Sequence, residues 1–472
     1  MTIPTTESQM RGASMMVRSL AVGAMVLVVS FLPQACSPHD VLAVDIPNAI
    51  DPGQLNSPAG AVAAYTGALG DFALANDGDN GGIEGQILVT GVMSDEYIDS
   101  ETFPTRIQYD SRGIDDRNGT LTTVFRNLQR ARVSLEVATG LLRAYAPAPA
   151  SRISELLSLS ALTKLYAGEN YCSGVPFSSF SAATFGQPLT TQEILRAAIQ
   201  RFDSALTVPV DTMQADSVTA RLILNLARVG KARAFLDLAQ PSSAAEWDSA
   251  AATAALVPPA FKYVATHTAF TNREYNGLHV FNSGSSAGGT GRFSVADQEG
   301  LNGLNFRTAN DPRVVTVQQG LGFDGTTPLY ALQKYPASNS PTVVADGIEA
   351  RLITAEVQLH QGDYPAWLTT LNTLRQNGGV AGLAALTDPG ATPDTAARTN
   401  LMFRERAFWL FGTGHRIGDL RRLARQYGRA SETVFPTGTY FKGGLYGTDV
   451  NIPVPFEERN NPNFHGCLNR EA

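Results

Sequence analysis

Apolar residues recur at three- and four-residue spacing through most of the chain. Leu121, Val124, Phe125, Leu128, Leu135 and Leu142 fall on one stripe and predict a helix over 121–145. The run APAPA at 146–150 ends it, and the pattern over 153–166 predicts an antiparallel return helix. Thr190 and Glu193 have the spacing of a capping box ahead of a helix over 194–206. Small residues over 59–74 and mixed apolar stripes over 218–239 and 246–256 predict three more helices. Segments 348–361 and 365–376, parted by Gly362-Asp363, predict a further hairpin. Leu401, Phe408 and Phe411 share a face of a helix that Gly412 and Gly414 interrupt, and 415–422 resumes it with Arg416, Asp419, Arg421 and Arg422.

Two intervals lack this period. Gln86 to Tyr109 is polar and carries Tyr97, Phe103 and Tyr109. Over 262–332 Gly and Asn become frequent and short alternating pieces such as LHVFN and GRFSV appear, which predicts loops and short strands. The pair of helices at 348–376 has the cadence of a tetratricopeptide unit, with small residues where helices would cross and Gly-Asp at the turn.

The N-terminus obeys a different logic. Arg11 and Arg18 precede an apolar run, Leu20 to Leu32, too short to span a membrane comfortably and suited to a signal peptide. Ala35-Cys36 comes next, similar to a bacterial lipobox except for Pro33 where Leu is usual. The expectation is a signal peptide over 1–35, lipidation of Cys36 and a Pro- and Asp-rich tether over 36–58; an ordinary secretory signal or an uncleaved anchor is the alternative. With Cys36 set aside, Cys172 and Cys467 remain in an oxidising compartment, which points to a disulfide between them rather than two separate buried thiols. The net charge of −7 argues against nucleic acid as a partner, since phosphate neutralisation needs a basic face.

Reactive chemistry is sparse. The six histidines are scattered, with neither His-Glu-x-x-His nor paired-Cys spacing, so no metal and no cofactor are expected. The acidic loop 76–85 fails the calcium-loop spacing and reads as a solvated turn. Gly284-Ser285-Ser286-Ala287-Gly288 fits a bare G-x-S-x-G, but the next residues, GTGRFSVAD, will not make the helix that a nucleophile elbow requires. Sugar binding, by contrast, needs flat aromatic faces ringed by Asn, Asp and Arg. The non-helical intervals supply Tyr97, Phe103 and Tyr109, and then Tyr275, Asn276, His279 and Phe281, as ligand-binding candidates, each of which also has an ordinary packing explanation.

The order of residues in LMFRERAFWLFGTGHRIGDLRR, 401–422, resembles the closing signature of the SusD/RagB family of outer-membrane nutrient-binding lipoproteins. Glu405, Arg406, Leu410, Gly414, His415, Arg416, Asp419, Leu420, Arg421 and Arg422 fall on that pattern; Trp409 and Thr413 stand where acidic residues are usual. The block EARLITAEVQLHQGD at 349–363, the Asp-Pro-Arg at 311–313 with the later Lys334-Tyr335, the Gly–Val-Pro corner at 174–176 and the terminal NIPVPFEERNNP at 451–462 are similar to further family segments in the same order. The resemblance implies that the 401–422 segment scaffolds the fold and does not itself hold ligand.

The combined expectation is a mostly α fold. Tetratricopeptide-like helical hairpins (59–261 and 333–434) form a curved scaffold that carries a loop-rich insertion (262–332) and a C-terminal tail (435–472) within a single SusD-like domain, 59–472. The resemblance further implies a non-catalytic, cell-surface lipoprotein of the outer membrane that captures oligosaccharide and delivers it to a TonB-dependent transporter. A tetratricopeptide adaptor or peptide-binding relative is the alternative, and a secreted glycoside hydrolase a more distant one.

Overall fold

The computed structural model describes residues 52–179, 184–211, 217–390 and 395–471; the signal segment, Cys36 and most of the expected tether lie outside them. From Gly53 onward these residues form one compact unit. Thirteen helices dominate the described residues. α1 (Pro58–Asp77), α2 (Gln86–Met93) and α3 (Pro104–Asp110) lead to the long α4 (Gly119–Tyr145) and α5 (Ser151–Asn170). Next come α6 (Thr191–Leu206), α7 (Ser217–Leu238) and α8 (Ala244–Ala255). Beyond the one-and-a-half-turn α9 (Gly277–Asn282) lie α10 (Gly347–His360), α11 (Tyr364–Asn377), α12 (Ala396–Trp409) and α13 (Arg416–Arg425).

The helices pack serially: α1 on α4, α4 on α5, α5 on α6, α6 on α7, α7 on α8, α8 on α10 and α10 on α11. α5 also touches α7, as expected of stacked hairpins in which each unit buries its apolar stripe against the next. The capping box before α6 is formed, with Thr190 Oγ1 accepting from the Glu193 N–H and Glu193 Oε2 accepting from the Thr190 N–H at 2.8 Å. The sequence-based helices are therefore present, and the mostly α, tetratricopeptide-like expectation holds.

The interval 86–109 differs from its reading as irregular chain. It folds into α2, the short strand β1 (Tyr97–Asp99) and α3. α2 is buried all round (QILVTGVM), so no amphipathic period marks it. The insertion and its flanks supply strands in two-stranded antiparallel pairs: β1 with β5 (Phe293–Val295), β4 (Lys262–Ala265) with β8 (Thr342–Asp346), and β6 (Thr316–Leu321) with β7 (Pro328–Leu332). A fourth pair, β2 (Val175–Pro176) with β3 (Pro188–Leu189), closes the loop after α5. Ser286 of the G-x-S-x-G run sits in a single 3-10 turn, not at the head of a helix. Asp79 caps the turn of its acidic loop by accepting from the N–H groups of Gly81 and Ile83.

The interior of the 401–425 corner is ionic. Arg422 pairs with Asp237 (2.8 Å), Glu356 (3.0 Å) and Asp419 (2.8 Å), and Arg406 makes a two-pronged bond to Asp419 at 2.9 and 2.8 Å. Arg233 grips Glu169 at 2.5 and 2.6 Å, and Arg416 grips Asp95 at 2.5 and 2.9 Å. Arg313 of the Asp-Pro-Arg segment reaches Glu405 at 2.8 Å, while Lys334 and Tyr335 donate to the carbonyls of Phe411 (2.9 Å) and Gly412 (3.0 Å). All these side chains are buried or nearly so. Burial opposes their charge, yet Arg406 and Arg422 still hold Asp419 down to about 2. His415 is pushed well down by burial and by Arg233, so it is neutral.

Thr413 and Trp409, the two departures from the resemblance, have local work. The Thr413 hydroxyl bonds Leu410 O (2.5 Å) and His415 Nδ1 (2.8 Å), and the Trp409 indole fills the space over Gly378, where a Cβ would meet it at 2.5 Å. Gly412 turns at φ 66°, and a Cβ there would lie 2.8 Å from the Tyr97 hydroxyl, so both backbone and space require glycine. Cys172 and Cys467 form a disulfide with Cα atoms 5.9 Å apart, fastening the C-terminal tail to the end of α5.

Candidate ligand-binding cleft

Most sequence candidates are packed in the interior. Tyr97 on β1 leans on Phe411 at 5.4 Å, and Tyr109 on α3 meets Phe293 edge-on at 6.5 Å; both are fully buried. Phe281 stacks on Phe293 at 5.4 Å. Asn276 caps α9 by accepting from the His279 N–H (3.0 Å) and donates to Ser340 O (2.7 Å). His279 is held between the carbonyls of Tyr335 (3.1 Å) and Ala287 (3.0 Å). Tyr275 is half-buried against the core. These six side chains thus serve packing and capping. Phe103 alone of the seven is well exposed, at 46%.

Phe103 precedes α3 with Pro104 at the first helical position, so its φ/ψ are extended and its ring is thrown outward. It does not stand alone. Phe323, at the tip of the β6–β7 hairpin and 52% exposed, lies nearly parallel to it, with ring centroids 6.5 Å apart and planes 18° apart. The guanidinium of Arg292 is 4.3 Å from the Phe323 centroid and 5.3 Å from that of Phe103; these sum to more than the ring separation, so it lies to one side of both rings. Arg292 is itself paired with buried Glu101, which also takes Arg106 at 2.6 Å. Two rings on one tethered cation make a fixed aromatic surface.

Beside it opens a cleft of about 820 Å³. Its lining includes Glu101 and Thr102 from the approach to α3, Asp297, Glu299 and Arg307 after β5, Asp324 and Thr327 of the hairpin, and Phe441, Lys442 and Tyr446 of the C-terminal loop. Phe441 is 45% exposed and adds a third ring. Lys442 bridges Asp99 (3.0 Å) and Asp324 (3.3 Å). Under the floor, Asp110 accepts from the Asp99 N–H (2.9 Å) and the Tyr440 hydroxyl (2.7 Å), and Glu299 accepts from Tyr446 (3.1 Å).

Burial, with Asp110 adding to it, pushes Asp99 up to about 8 despite Lys442. Burial raises Asp110 to about 6, and burial together with Asp110 raises Glu299. Asp324 goes the other way, to about 2: burial opposes its charge, but the N–H groups of Thr327 and Thr326 and the Thr327 hydroxyl overcome it. The floor therefore carries fewer charges than carboxylates. Such a site offers hydrogen-bond donors and acceptors rather than a strong field, next to apolar ring faces.

A second groove, of about 700 Å³, runs between α4 and the C-terminal segment near Glu457. It is lined by polar side chains such as Arg126, Arg130, Arg132, Glu457 and Asn461, and among the described residues it carries a single exposed aromatic ring, Phe185, where the first cleft has a stacked pair of rings beside it.

Sequence reasoning missed Phe323, Phe441, Arg292, Arg307 and Lys442. Phe323 had a usable signal: an aromatic inside a Gly-Phe-Asp-Gly turn has no core to enter.

No family model and no curated protein matches the chain in sequence. Solved structures do match in shape. A SusD superfamily protein from Bacteroides fragilis aligns over 87% of this chain and 99% of its own at TM-score 0.62 and 16% identity. One from Bacteroides vulgatus aligns over 87% and 99% at TM-score 0.61 and 14% identity. Surface glycan-binding protein A from Bacteroides thetaiotaomicron, solved in complex with laminarihexaose, aligns over 87% and 99% at TM-score 0.63 and 11% identity.

Proposed function

Because the chain has the SusD-like fold, we propose that it is a cell-surface lipoprotein, anchored through Cys36, that captures oligosaccharide and delivers it to a TonB-dependent outer-membrane transporter. The single observation that carries this reading is the exposed Phe103–Phe323 pair, fixed by Arg292 and flanked in the chain by Thr102 and Asp324, which line a polar cleft. Sugar rings present an apolar face and an edge of hydroxyls, and here both complements lie side by side. The laminarihexaose complex of a protein with this fold supports a glycan as ligand. Affinity arises from stacking and hydrogen bonding on a preformed surface, with no bond made or broken.

Isothermal titration with a panel of oligosaccharides of about six units tests this. Replacing Phe103 and Phe323 together by Ala should weaken binding at least about 10-fold, or about 1.4 kcal/mol, while the far-ultraviolet circular dichroism stays that of a helical protein. Full retention of affinity in the double variant would remove the cleft from consideration.

A further inference from the structure

We infer that Arg307 is the specificity residue of this cleft and that the glycan it selects carries a carboxylate, as a hexuronic acid does; the inference rests on the cleft being the glycan site. Along the lining, most of the other charged groups already have partners. Glu101 is taken by Arg106 and Arg292. Asp324 is taken by Lys442 and by the hairpin N–H groups, and Lys442 in turn is filled by Asp99, Asp324 and the Glu101 carbonyl. Asp297 accepts from the backbone N–H groups of Arg307 (2.8 Å) and Thr308 (2.9 Å) and from the Thr308 hydroxyl (3.2 Å). Glu299 accepts from Tyr446 through Oε1 and lies near Asp110; its Oε2 is buried and unbonded, and burial with Asp110 pushes the carboxyl toward its neutral form.

Arg307 is different. Its guanidinium lies over the Tyr330 ring, 3.8 Å from the centroid, which covers one face and fixes its plane. Among the described residues no side-chain donor of Arg307 has a protein acceptor, and its Nε is shielded from solvent and unbonded. It is half-buried and lines the cleft. A planar fork of donors, held flat and left uncommitted while the cleft's other cation, Lys442, is engaged, is complementary to a planar two-oxygen anion. A neutral sugar offers single hydroxyls that meet this fork less well. The aromatic surface would then supply stacking common to all sugars, and Arg307 the discrimination.

The test is titration of the full-length protein lacking only its signal segment with oligogalacturonate, oligomannuronate and oligoglucuronate. Each is compared with its carboxyl-reduced counterpart, which differs only by CH₂OH in place of COO⁻. At least one uronate should bind 10-fold or more tighter than its reduced form, and that preference should weaken as salt is raised. Arg307→Gln should abolish the preference, bringing the affinities for the uronate and its reduced form within about 2-fold of each other, and Arg307→Lys should keep only part of it. Circular dichroism verifies that both variants are folded. Equal or tighter binding of the reduced oligomers overturns the inference, as does a preference that survives Arg307→Gln. Binding confined to neutral glycans and lost in the Phe103/Phe323 double variant overturns it while leaving the glycan reading intact. Absence of binding to any glycan overturns both.

Discussion

The corner at 401–425 and the cleft at Phe103–Phe323 are made from the same residue types, arginines, carboxylates and aromatic rings, and put them to opposite use. In the corner nearly every charged group is buried and has two or three partners: Arg422 touches Asp237, Glu356 and Asp419. In the cleft the charges are fewer, some carboxyls are pushed toward their neutral form, and rings face outward. An ionic network enclosed on all sides, with its arginines held by two or more carboxylates or by paired oxygens of one, offers no surface to a ligand and holds structure. A site needs unfilled capacity, and that is found where Arg307 lies unengaged on Tyr330.

The contrast can be broken by experiment. The largest effect is expected from Arg422→Ala, which strands Glu356, Asp237 and Asp419 inside the protein and should cost about 3–5 kcal/mol. Urea denaturation should show a lowered midpoint, or failure of the variant to accumulate folded. A near-neutral result would mean that the corner is not the structural keystone.

A smaller and pH-dependent effect is expected at Glu96. Its carboxyl accepts from the Gly412 N–H at 3.0 Å, has no cation in contact, and is pushed by burial up to about 8. Its folded value lies above the ordinary 4.5, so the folded state holds a proton that the unfolded state has released between those two values. Its contribution to stability is complete below pH 4.5 and is lost as pH rises through 8. Glu96→Gln should therefore be almost silent at pH 5 and stabilising by about 2–4 kcal/mol at pH 9. Denaturation curves for both proteins at the two pH values check the sign.

The smallest effect belongs to the cleft: Phe323→Ala, removing a ring more than half exposed, should change the unfolding free energy by no more than about 0.5 kcal/mol. A loss of several kcal/mol would show that the hairpin tip is part of the core and not a ligand surface.

Legibility in the sequence divides along the same line. The helical hairpins announced themselves through stripes such as Leu121–Leu142 and through the Thr190–Glu193 cap, because burial of one helix face imposes a period. The corner was legible too. Glu405, Arg406, His415, Arg416, Asp419 and Arg422, together with Arg313, Lys334, Tyr335 and Glu356 from other blocks, converge on one place. Each is there to satisfy another. α2 was missed because a helix buried on all sides has no period to read.

The cleft was legible only through Phe103. Tyr97, Tyr109 and Phe281 look the same in sequence, and what separates them from Phe103 is which side of a strand or helix meets the core, set by contacts far along the chain. Arg307 carried no signal at all, since its standing depends on which of its neighbours' charges are already met.

The joint between Cys172 and Cys467 has a consequence for how the cleft keeps its shape. The chain beyond α13 runs from the ionic corner, past Phe441 and Lys442 on the cleft wall, to a covalent knot at the end of α5, with Arg112 gripping it midway through the Pro436 and Asp449 carbonyls. The wall is thus a strap fastened at both ends, and its second fastening exists only where thiols are oxidised. Oxidation of the two thiols closes this strap, and reduction would slacken the wall while leaving the helical frame standing.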